Sequence, residues 1–273
     1  MTLVSLKGPS DGCHVIAFMP VFNESDIIEH SIIHLNDSGA SVYVLDNWST
    51  DGTWEKLQTL GGGRLAGLER NPLGSPVGHY ELAATAKRIS SLACELGADW
   101  YVWHDADEYM QSPWPGIDLR AALFEVGRQG FNAVNFKVVT FPPIDDSFQP
   151  GMDFVRHFRH WIIEPAPPDF VWIRAWRNTG VPVGFPSASH EAFFAGRNVF
   201  PDKFVLRHYP FRSQAQAIRK VFRDRRPRYS PSAKARGWHT HYDHLEADAV
   251  FLRRPEELHK LDEAEFLNEV REG

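Results

Sequence analysis

Short apolar runs that alternate with amphipathic helical patterns constrain the fold of this chain more than any other feature. Three runs have the length and apolarity of buried strands: Val15–Phe18, Val42–Leu45 and Trp100–Trp103. Between the first two, Ile28, Ile32 and Leu35 recur at helical spacing, and residues 79–97 carry a longer pattern of the same kind. The alternation predicts βαβ units and a mostly parallel sheet.

The ends of the helices and the second half of the chain give further expectations. The first helix is expected to be capped by Asn23, Ser25 and Asp26. A later helix, at 119–126, is expected to be capped by Asp118. Further strands are predicted at 133–141, 170–176 and 204–209, and further helices at 213–225 and 255–270. We therefore expect one α/β domain whose second half adds strands and loops over a site.

Composition narrows the class of protein. Of 273 residues, 43% are hydrophobic and 23% charged, which is ordinary for a globular chain. The formal charge of −6 argues against a general nucleic-acid binder, although it leaves room for a local basic patch, so no nucleic-acid partner is expected. The two cysteines, Cys13 and Cys94, exclude a disulfide framework. Without a secretory leader or a long apolar run, the sequence predicts a cytoplasmic protein with no transmembrane segment.

Polar residues follow three of the predicted strands. They are Phe22-Asn23-Glu24 after the first, Asp46 and Asn47 after the second, and Asp105 and Asp107 after the third. Each group alone would be an ordinary turn, because Asp and Asn are common loop residues. In an open parallel sheet, however, ligands bind beyond the carboxyl ends of the strands. Three polar groups at one edge therefore predict a binding site there.

The Asp105-Ala-Asp107 segment carries the most specific chemistry. Two carboxylates spaced by one residue after an apolar strand are able to face one hard cation together. Mg²⁺ and Mn²⁺ prefer such oxygen ligands and share them with substrate phosphates. The alternative is a turn or a helix cap ahead of Ser112-Pro113.

Three segments together carry a resemblance to a known family. Met19–Glu24 (MPVFNE), Val44–Thr53 (VLDNWSTDGT) and Trp103–Tyr109 (WHDADEY) resemble the family-2-type glycosyltransferases with the GT-A fold. The chain departs from the family pattern at Phe22, where Tyr is usual, and at Asn47, where a second Asp is usual. The Asp-Ala-Asp-Glu segment and the His-Tyr-Pro segment at 208–210 are similar to a bacterial subgroup.

The resemblance covers residues 13–225 and implies an architecture and an activity. It implies an α/β GT-A fold: a mostly parallel central sheet with helices on both faces and a C-terminal acceptor-side extension. Domain 1–225 would hold a nucleotide-sugar half at 13–112 and an acceptor half at 113–225, and 226–273 would be a lid or helical extension. The implied reaction is inverting transfer from a nucleotide-diphosphate sugar to a hydroxyl of a carbohydrate or other acceptor, as in polysaccharide biosynthesis.

The resemblance also assigns roles to single residues. The nucleotide-sugar would be held by Pro20, Phe22, Asn23, Glu24, Asp46, Asn47 and Asp105. Within that set, Asp46 would accept a hydrogen bond from the base. Mn²⁺ or Mg²⁺ would bind Asp105 and Asp107, with His208 completing the metal shell. A histidine within a strand is otherwise a structural residue, and that alternative for His208 stays open.

Inverting transfer also needs a general base that takes the proton of the acceptor hydroxyl. Enzymes of this type place an acidic residue after the Asp-x-Asp strand, and Glu191 fits that position. A structural ion pair between Glu191 and Arg174 or Arg197 is the alternative. Other candidates for the base are Asp145, Asp146 and Asp169.

Two further clusters each allow two interpretations. The first is a basic segment comprising Arg219, Lys220, Arg223, Arg225, Arg226 and Arg228. It would contact phosphate, or it would form a solvated helix face. The second comprises His239, His241 and His244, for which a lid near the acceptor is favoured over a metal site, since no carboxylate or cysteine pattern completes one.

Two other functions compete with glycosyl transfer. A nucleotidyltransferase shares the parallel sheet and the metal-binding carboxylates, but it usually carries a Gly-rich phosphate loop, which residues 16–30 lack. A non-catalytic carbohydrate or nucleotide-sugar binding module would have a degenerate site. The intact Asp105, Asp107, Glu191 and His208 argue against such decay.

Overall fold

The computed structural model describes residues 12–60, 63–74, 78–165, 167, 170–230, 234–235 and 242–272. An eight-stranded sheet forms the centre of this part of the chain, and a two-stranded sheet lies beside it. The strands are β1 (Val15–Val21), β2 (Ala40–Asp46), β3 (Leu65–Arg70), β4 (Trp100–Trp103), β5 (Glu108–Gln111), β6 (Ala133–Thr140), β7 (His160–Trp161), β8 (Ile173–Arg177), β9 (Phe204–His208) and β10 (His259–Lys260).

The large sheet has the order β3-β2-β1-β4-β8-β6-β9-β5. Strands β1 to β4 are parallel, and so are β6 and β9. Strand β8 runs antiparallel between β4 and β6, and β5 runs antiparallel at the edge next to β9. Six of the eight strands therefore share one direction, which confirms the predicted mostly parallel α/β sheet.

Helices cover both faces of this sheet. They are α1 (Ile28–Asp37), α2 (Thr53–Thr59), α3 (Leu82–Glu95), α4 (Leu119–Arg128), α5 (Phe154–His157), α6 (Gln214–Arg219) and α7 (Phe266–Glu272). Buried side chains of α1, α2 and α4 belong to one hydrophobic cluster, and those of α3 belong to another. The predicted placement of helices on both faces is confirmed.

The central strands are apolar throughout because both of their faces are buried. In β4, Trp100 and Val102 point into the first cluster, whereas Tyr101 and Trp103 point into the second. In a sheet covered on both faces, alternate side chains enter different cores, and the strand reads as a continuous apolar run. This arrangement leaves the polar residues for the ends of the strands.

Helix boundaries agree with the sequence in some places and differ in others. Asp118 caps α4 as predicted, since its carboxylate accepts from the Ala121 N–H at 2.7 Å. Helix α1 instead begins at Ile28, without a side-chain cap. The helix predicted over 213–225 starts as α6 and continues as a π-helical segment over Lys220–Arg225.

The predicted continuous helix over 255–270 is wrong. A 3₁₀ turn at Pro255–Glu257 leads into β10, and only the last part forms helix α7. Strand β10 pairs with β7, where His259 lies opposite Trp161 and stacks on its ring at 4.3 Å. This tertiary pairing outweighs the local helical pattern, as packing often does.

Strand β5 begins directly after Asp107 and was not predicted. It pairs with β9, so that Glu108 lies opposite His208. The hairpin-like return of the chain after β4 brings the His-Tyr-Pro segment to the Asp-Ala-Asp-Glu segment. Among the described residues, none of the helices has both the length and the apolar character needed to cross a membrane.

Candidate active site at the carboxyl ends of the strands

The segments that follow β1 and β4 meet at one buried lysine. The Lys220 ammonium lies 2.6 Å from Asp107 Oδ2 and 3.3 Å from Glu24 Oε1, and the residue is only 5% exposed. Asp107 and Glu24 are 83 residues apart in sequence, and the parallel sheet places both at its carboxyl edge. The predicted convergence of strand-end residues is therefore visible in direct contacts.

Arginines add further positive charge on the Glu24 side. Arg212 forms a short ion pair with Glu24 and also binds Asp26, with 3.0 Å between Arg212 Nε and Asp26 Oδ2. Arg225 Nη2 lies 3.2 Å from Glu24 Oε1. Burial acts to raise the pKa of Asp26, but the Arg212 guanidinium outweighs it and holds that pKa below its usual value. Arg212 Nη1 is buried and has no hydrogen-bond partner among the described residues.

We expect Asp26→Asn to lower the free energy of unfolding by about 1.5–3 kcal/mol at neutral pH, the range for a hydrogen bond to a charged group. Because the folded-state pKa of Asp26 is depressed, its stabilising contribution is present above the unfolded pKa of about 3.9 and is lost as pH falls through the folded pKa. The difference between wild type and variant should therefore shrink at acid pH.

Urea unfolding at neutral pH and at about pH 3 measures this difference. Asp202→Asn is the matched control, since Asp202 is exposed. A difference between wild type and Asp26→Asn that is unchanged by pH would show that the carboxylate charge does not stabilise the fold.

Asp107 and His208 face each other across the β5–β9 pair. His208 Nε2 lies 3.8 Å from Asp107 Oδ2. Burial acts to raise the pKa of Asp107, but the Lys220 ammonium, His208 and Arg212 outweigh it and hold that pKa well below its usual value. Burial lowers the pKa of His208, although Asp107 opposes that shift. At neutral pH, Asp107 is thus a carboxylate, and the uncharged imidazole is a suitable nitrogen donor.

Asp105 has different partners. Its Oδ2 accepts from Arg174 Nη1 at 3.1 Å, and its Oδ1 lies 3.3 Å from the Trp103 indole nitrogen. Arg174 is 1% exposed and is anchored on Glu108 by contacts of 2.8 and 2.9 Å. The Asp105 side chain is 38% exposed, so it is the accessible member of this network.

Asp105, Asp107 and His208 are residue types that bind a divalent ion, and their positions meet part of what such a site needs. Asp107 and His208 offer an oxygen and a nitrogen donor on the same side of the cluster. Among the described residues, however, the ligand atoms of Asp105, Asp107 and His208 do not gather within 4.8 Å of one another. For all three residues to hold one ion, the Asp105 side chain has to turn away from Arg174. The ion would also share the Asp107 carboxylate with Lys220.

Asp46 ends β2 and is fully buried. Its Oδ2 accepts from the Ser49 N–H at 3.0 Å and pairs with Arg70, whose guanidinium lies 4.1 Å from the centre of the Trp54 ring. Its Oδ1 has no hydrogen-bond partner among the described residues. Buried polar atoms are almost always paired, so this oxygen has hydrogen-bonding capacity that the described residues do not use.

The other residues predicted to hold the donor lie around Asp46. The Arg228 guanidinium stacks on Phe22 at 3.5 Å and donates to Asn47 Oδ1 at 2.5 Å. Asn23 has a positive φ of 56°, accepts from the Thr50 N–H at 2.9 Å and donates to Asp224 at 3.1 Å. Pro20 differs from the rest, because it lies within β1 opposite Leu45 rather than beyond the strand.

Glu191 pairs with Arg197, with 2.8 Å between Glu191 Oε1 and Arg197 Nη1. Its backbone bridges Ile173, the neighbour of Arg174, and Ser189 Oγ lies 3.4 Å from Arg174 Nη2. The loop thus adjoins the Asp105 network, while the Glu191 carboxylate turns toward Arg197. Its side chain is 21% exposed.

The competing candidates for the base have their own partners. Asp145 accepts from the Ser147 N–H at 2.9 Å, and Asp146 accepts from the Gln214 N–H at 2.7 Å. Both side chains are exposed. Asp169 lies outside the described residues.

The basic segment over 219–228 divides between the site and its surroundings. Lys220, Arg225 and Arg228 make the contacts to Glu24, Asp107 and Asn47 given above. Arg226 instead donates to the Leu245 carbonyl at 2.8 Å, and Arg223 is exposed. Of the histidine cluster, His239 and His241 lie outside the described residues, and His244 is exposed.

Sequence reasoning missed Arg212 and the specific partner of Lys220. Arg212 follows the His-Tyr-Pro segment by two residues, and this proximity was the available signal. Its partners Glu24 and Asp26 lie 188 and 186 residues earlier, a pairing that no local pattern encodes. Arg174 was considered as a partner of Glu191, whereas it binds Asp105 and Glu108.

No protein-family model matches the sequence, and no curated protein matches it. Among solved structures, S. aureus TarS is 11% identical with a TM-score of 0.45, over 77% of this chain and 40% of that one. Glucosyl-3-phosphoglycerate synthase from Mycobacterium tuberculosis, in complex with Mn²⁺, uridine diphosphate and glucosyl-3-phosphoglycerate, is 22% identical with a TM-score of 0.32, over 50% of this chain and 48% of that one. The chain therefore spans less than half the length of either structure, and similarity at this level does not assign an activity.

Proposed function

We propose that this protein is a metal-dependent, inverting glycosyltransferase with the GT-A fold. It moves a sugar from a nucleotide-diphosphate sugar to a hydroxyl of a carbohydrate or other acceptor. The observation that carries the proposal lies at the carboxyl edge of the sheet, where two buried atoms, Asp46 Oδ1 and Arg212 Nη1, have no hydrogen-bond partner among the described residues. Asp46 Oδ1 is able to accept a hydrogen bond from a base N–H, and Arg212 Nη1 is able to donate one to a phosphate oxygen.

In this proposal the nucleotide-sugar donor binds at this edge of the sheet. Asp46 Oδ1 accepts from a base N–H, and Phe22, Asn47 and Arg228 surround the nucleoside. Lys220 and Arg225 share the Glu24 carboxylate and supply positive charge to the diphosphate. Charge-assisted contacts of this kind are the strong hydrogen bonds of phosphate sites.

Asp107, His208 and Asp105 would hold Mn²⁺ or Mg²⁺. When bound, the ion would supply positive charge that stabilises the leaving diphosphate. Lys220 contributes a second positive charge, because its ammonium lies 2.6 Å from the Asp107 carboxylate. Arg174 orients Asp105 from its buried position on Glu108.

Glu191 takes the proton of the acceptor hydroxyl, which attacks the anomeric carbon from the face opposite the diphosphate. Arg197 fixes the direction of the carboxylate through Oε1. A single displacement inverts the configuration at that carbon. In this proposal, residues 13–112 form most of the donor site and residues 113–225 bind the acceptor, while Arg212, Lys220, Arg225 and Arg228 reach the donor from the second half of the chain. Residues 226–273 form the lid, and the protein acts in the cytoplasm.

We expect Asp46→Ala to weaken donor binding roughly 10- to 100-fold, the effect of losing one hydrogen bond of about 1.5–3 kcal/mol to a charged group. The rate of the chemical step should change less, because the base lies away from the reacting bond. Single-turnover kinetics separates the two quantities. An unchanged donor Kd with a low kcat would assign Asp46 to another role.

Product analysis tests the proposed function against its two competitors. The protein is incubated with nucleotide-diphosphate sugars, Mn²⁺ and a panel of sugar, glycerol-type and phosphorylated acceptors. Release of a nucleoside diphosphate together with a glycoside of inverted configuration supports the proposal. Pyrophosphate release from a nucleoside triphosphate and a sugar phosphate would indicate a nucleotidyltransferase. Donor binding without turnover against the whole panel would indicate a binding module.

A further inference from the structure

A second cluster of chemically active side chains lies outside the candidate active site. His30 and His34 belong to α1, and Asp153 stands at the start of α5. One ligand atom from each lies within 4.8 Å of the other two, and in the part of the chain that the structure describes this is the one such trio. We propose that these three side chains bind a transition-metal ion, with Zn²⁺ the best fit. The proposal does not depend on the function proposed above.

The two histidines are positioned by the helix. Side chains spaced by four residues lie on the same face of an α-helix, one above the other. His30 Nε2 lies 2.9 Å from the Gly151 carbonyl oxygen, and His34 Nε2 lies 2.8 Å from Asp153 Oδ1. Both ring nitrogens therefore point toward the same short stretch of chain, at 151–153.

Aromatic side chains hold the second ring in place. The rings of Tyr109 and Phe154 form T-shaped pairs with the His34 ring, with centroid distances of 5.5 and 5.9 Å. A ligand whose rotamer is fixed by its neighbours needs less ordering when the metal binds. His34 is thus prepared as a ligand by packing as well as by its hydrogen bond.

Asp153 is fixed as well, and its side chain is 17% exposed. Its Oδ1 accepts from the Val155 N–H at 3.1 Å and so caps α5. Its Oδ2 faces Arg156 at 3.3 Å, but that side chain is 88% exposed and such pairs contribute little. For bonds of 2.0–2.1 Å, ligand atoms of a tetrahedral site lie roughly 3.4 Å apart. The three ligand atoms lie within 4.8 Å of one another, so metal binding requires side-chain rotations that bring them to that spacing.

The donor set selects the class of metal. Two imidazoles and one carboxylate, with a fourth position for water or for the nearby Gly151 carbonyl, suit Zn²⁺ and the neighbouring transition metals. Mg²⁺ and Mn²⁺ prefer sites with more oxygen ligands, as at Asp105 and Asp107. The two sites therefore differ in metal preference.

A bound ion would join α1 to the chain segment before α5. The Gly151 N–H already donates to the Asp26 carbonyl at 2.9 Å, and the Asp26 side chain binds Arg212. Asp26, which precedes α1, thus connects the cluster to the buried charges of the candidate active site. Metal binding to the folded chain alone should raise its melting temperature.

Co²⁺ and Zn²⁺ titrations of the metal-stripped full chain test the site. We expect one Co²⁺ with the absorption bands of a low-symmetry tetrahedral complex, displaced by Zn²⁺, and a Zn²⁺-dependent rise in melting temperature. His34→Ala should lower the apparent Zn²⁺ affinity at least about tenfold, since even changes to residues behind a ligand cost about 10- to 100-fold. His34→Gln retains a hydrogen-bonding group toward Asp153 and should lose the metal while keeping the fold.

His157→Ala is the matched control, because His157 lies in α5 nearby but is not one of the three ligands. It should bind Zn²⁺ as the wild type does. Equal Zn²⁺ affinity and equal Co²⁺ spectra for wild type, His30→Ala and His34→Gln would overturn the proposal. A metal that is lost only in Asp107→Ala would place the ion at the other site and overturn it equally.

Discussion

Asp107→Ala is expected to lower kcat/KM roughly 10²- to 10³-fold, the order of loss when a group that stabilises charge in the transition state is removed. The variant removes the carboxylate that faces His208 and that lies 2.6 Å from the Lys220 ammonium. The proposed metal loses its central ligand, and the leaving diphosphate loses the charge that the ion supplies. Steady-state release of the nucleoside diphosphate measures the loss.

Loss of folding has to be separated from loss of metal in this variant. Lys220 keeps its 3.3 Å contact to Glu24, so the buried ammonium retains one partner when Asp107 is removed. Asp107→Asn keeps the side-chain volume and a hydrogen-bond acceptor, and it should be equally inactive with a melting temperature nearer the wild type. Asp202→Ala, at an exposed position, is the activity control. An active Asp107→Asn enzyme, or full wild-type activity in excess EDTA, would contradict the metal role.

Glu191→Gln is expected to lower kcat roughly 10²- to 10⁴-fold, because general-base assistance contributes about that much. The amide keeps an oxygen for the hydrogen bond from Arg197, but it cannot take the acceptor proton. Binding of donor and Mn²⁺ should stay near wild type, since the leaving-group side of the site is unchanged. Rapid-quench measurement of the chemical step, beside donor titration, checks both statements.

Arg197→Met separates catalysis from structure at this position. A purely structural Glu191–Arg197 pair would make Arg197→Met and Glu191→Gln alike in stability and rate. If Glu191 is instead the general base, the Arg197→Met variant should be more active than Glu191→Gln. His208→Ala should behave differently again: a lower apparent Mn²⁺ affinity, with partial recovery of the rate at high Mn²⁺. A Glu191→Gln enzyme that keeps most of its kcat would direct attention to Asp145 and Asp146.

The parallel half of the fold was predictable because its signals are local. Buried strands such as β1 and β4 are short apolar runs, and α3 carries a clear helical period. The chain then places polar residues where each strand ends, so the edge of the sheet that holds Glu24 and Asp107 follows from topology alone. Both carboxylates contact Lys220, which shows that the two strand ends lie close together.

The remaining features depend on contacts between distant parts of the chain. Strand β5 has four residues, and it is a strand because β9 pairs with it, nearly 100 residues later. Strand β10 forms because β7 is adjacent, against a local helical pattern. The ion pair of Arg212 with Glu24 and the orientation of Glu191 toward Arg197 likewise arise from packing. Sequence patterns indicate which residue types are present, but these partners are set by the tertiary fold.

The most direct test of the nucleotide-sugar site is calorimetric titration of nucleoside diphosphates into the metal-stripped protein, with Mn²⁺ or with EDTA. Uridine, guanosine, adenosine and thymidine diphosphates form the panel. We predict that at least one binds with a Kd at least about tenfold lower in Mn²⁺ than in EDTA, a coupling of about 1.4 kcal/mol between metal and ligand. Asp46→Ala should weaken that binding, and Asp107→Ala should abolish its Mn²⁺ dependence. Failure of every nucleoside diphosphate to bind, or binding that neither Mn²⁺ nor Asp107→Ala alters, would contradict a metal-dependent nucleotide-sugar site at the carboxyl ends of these strands.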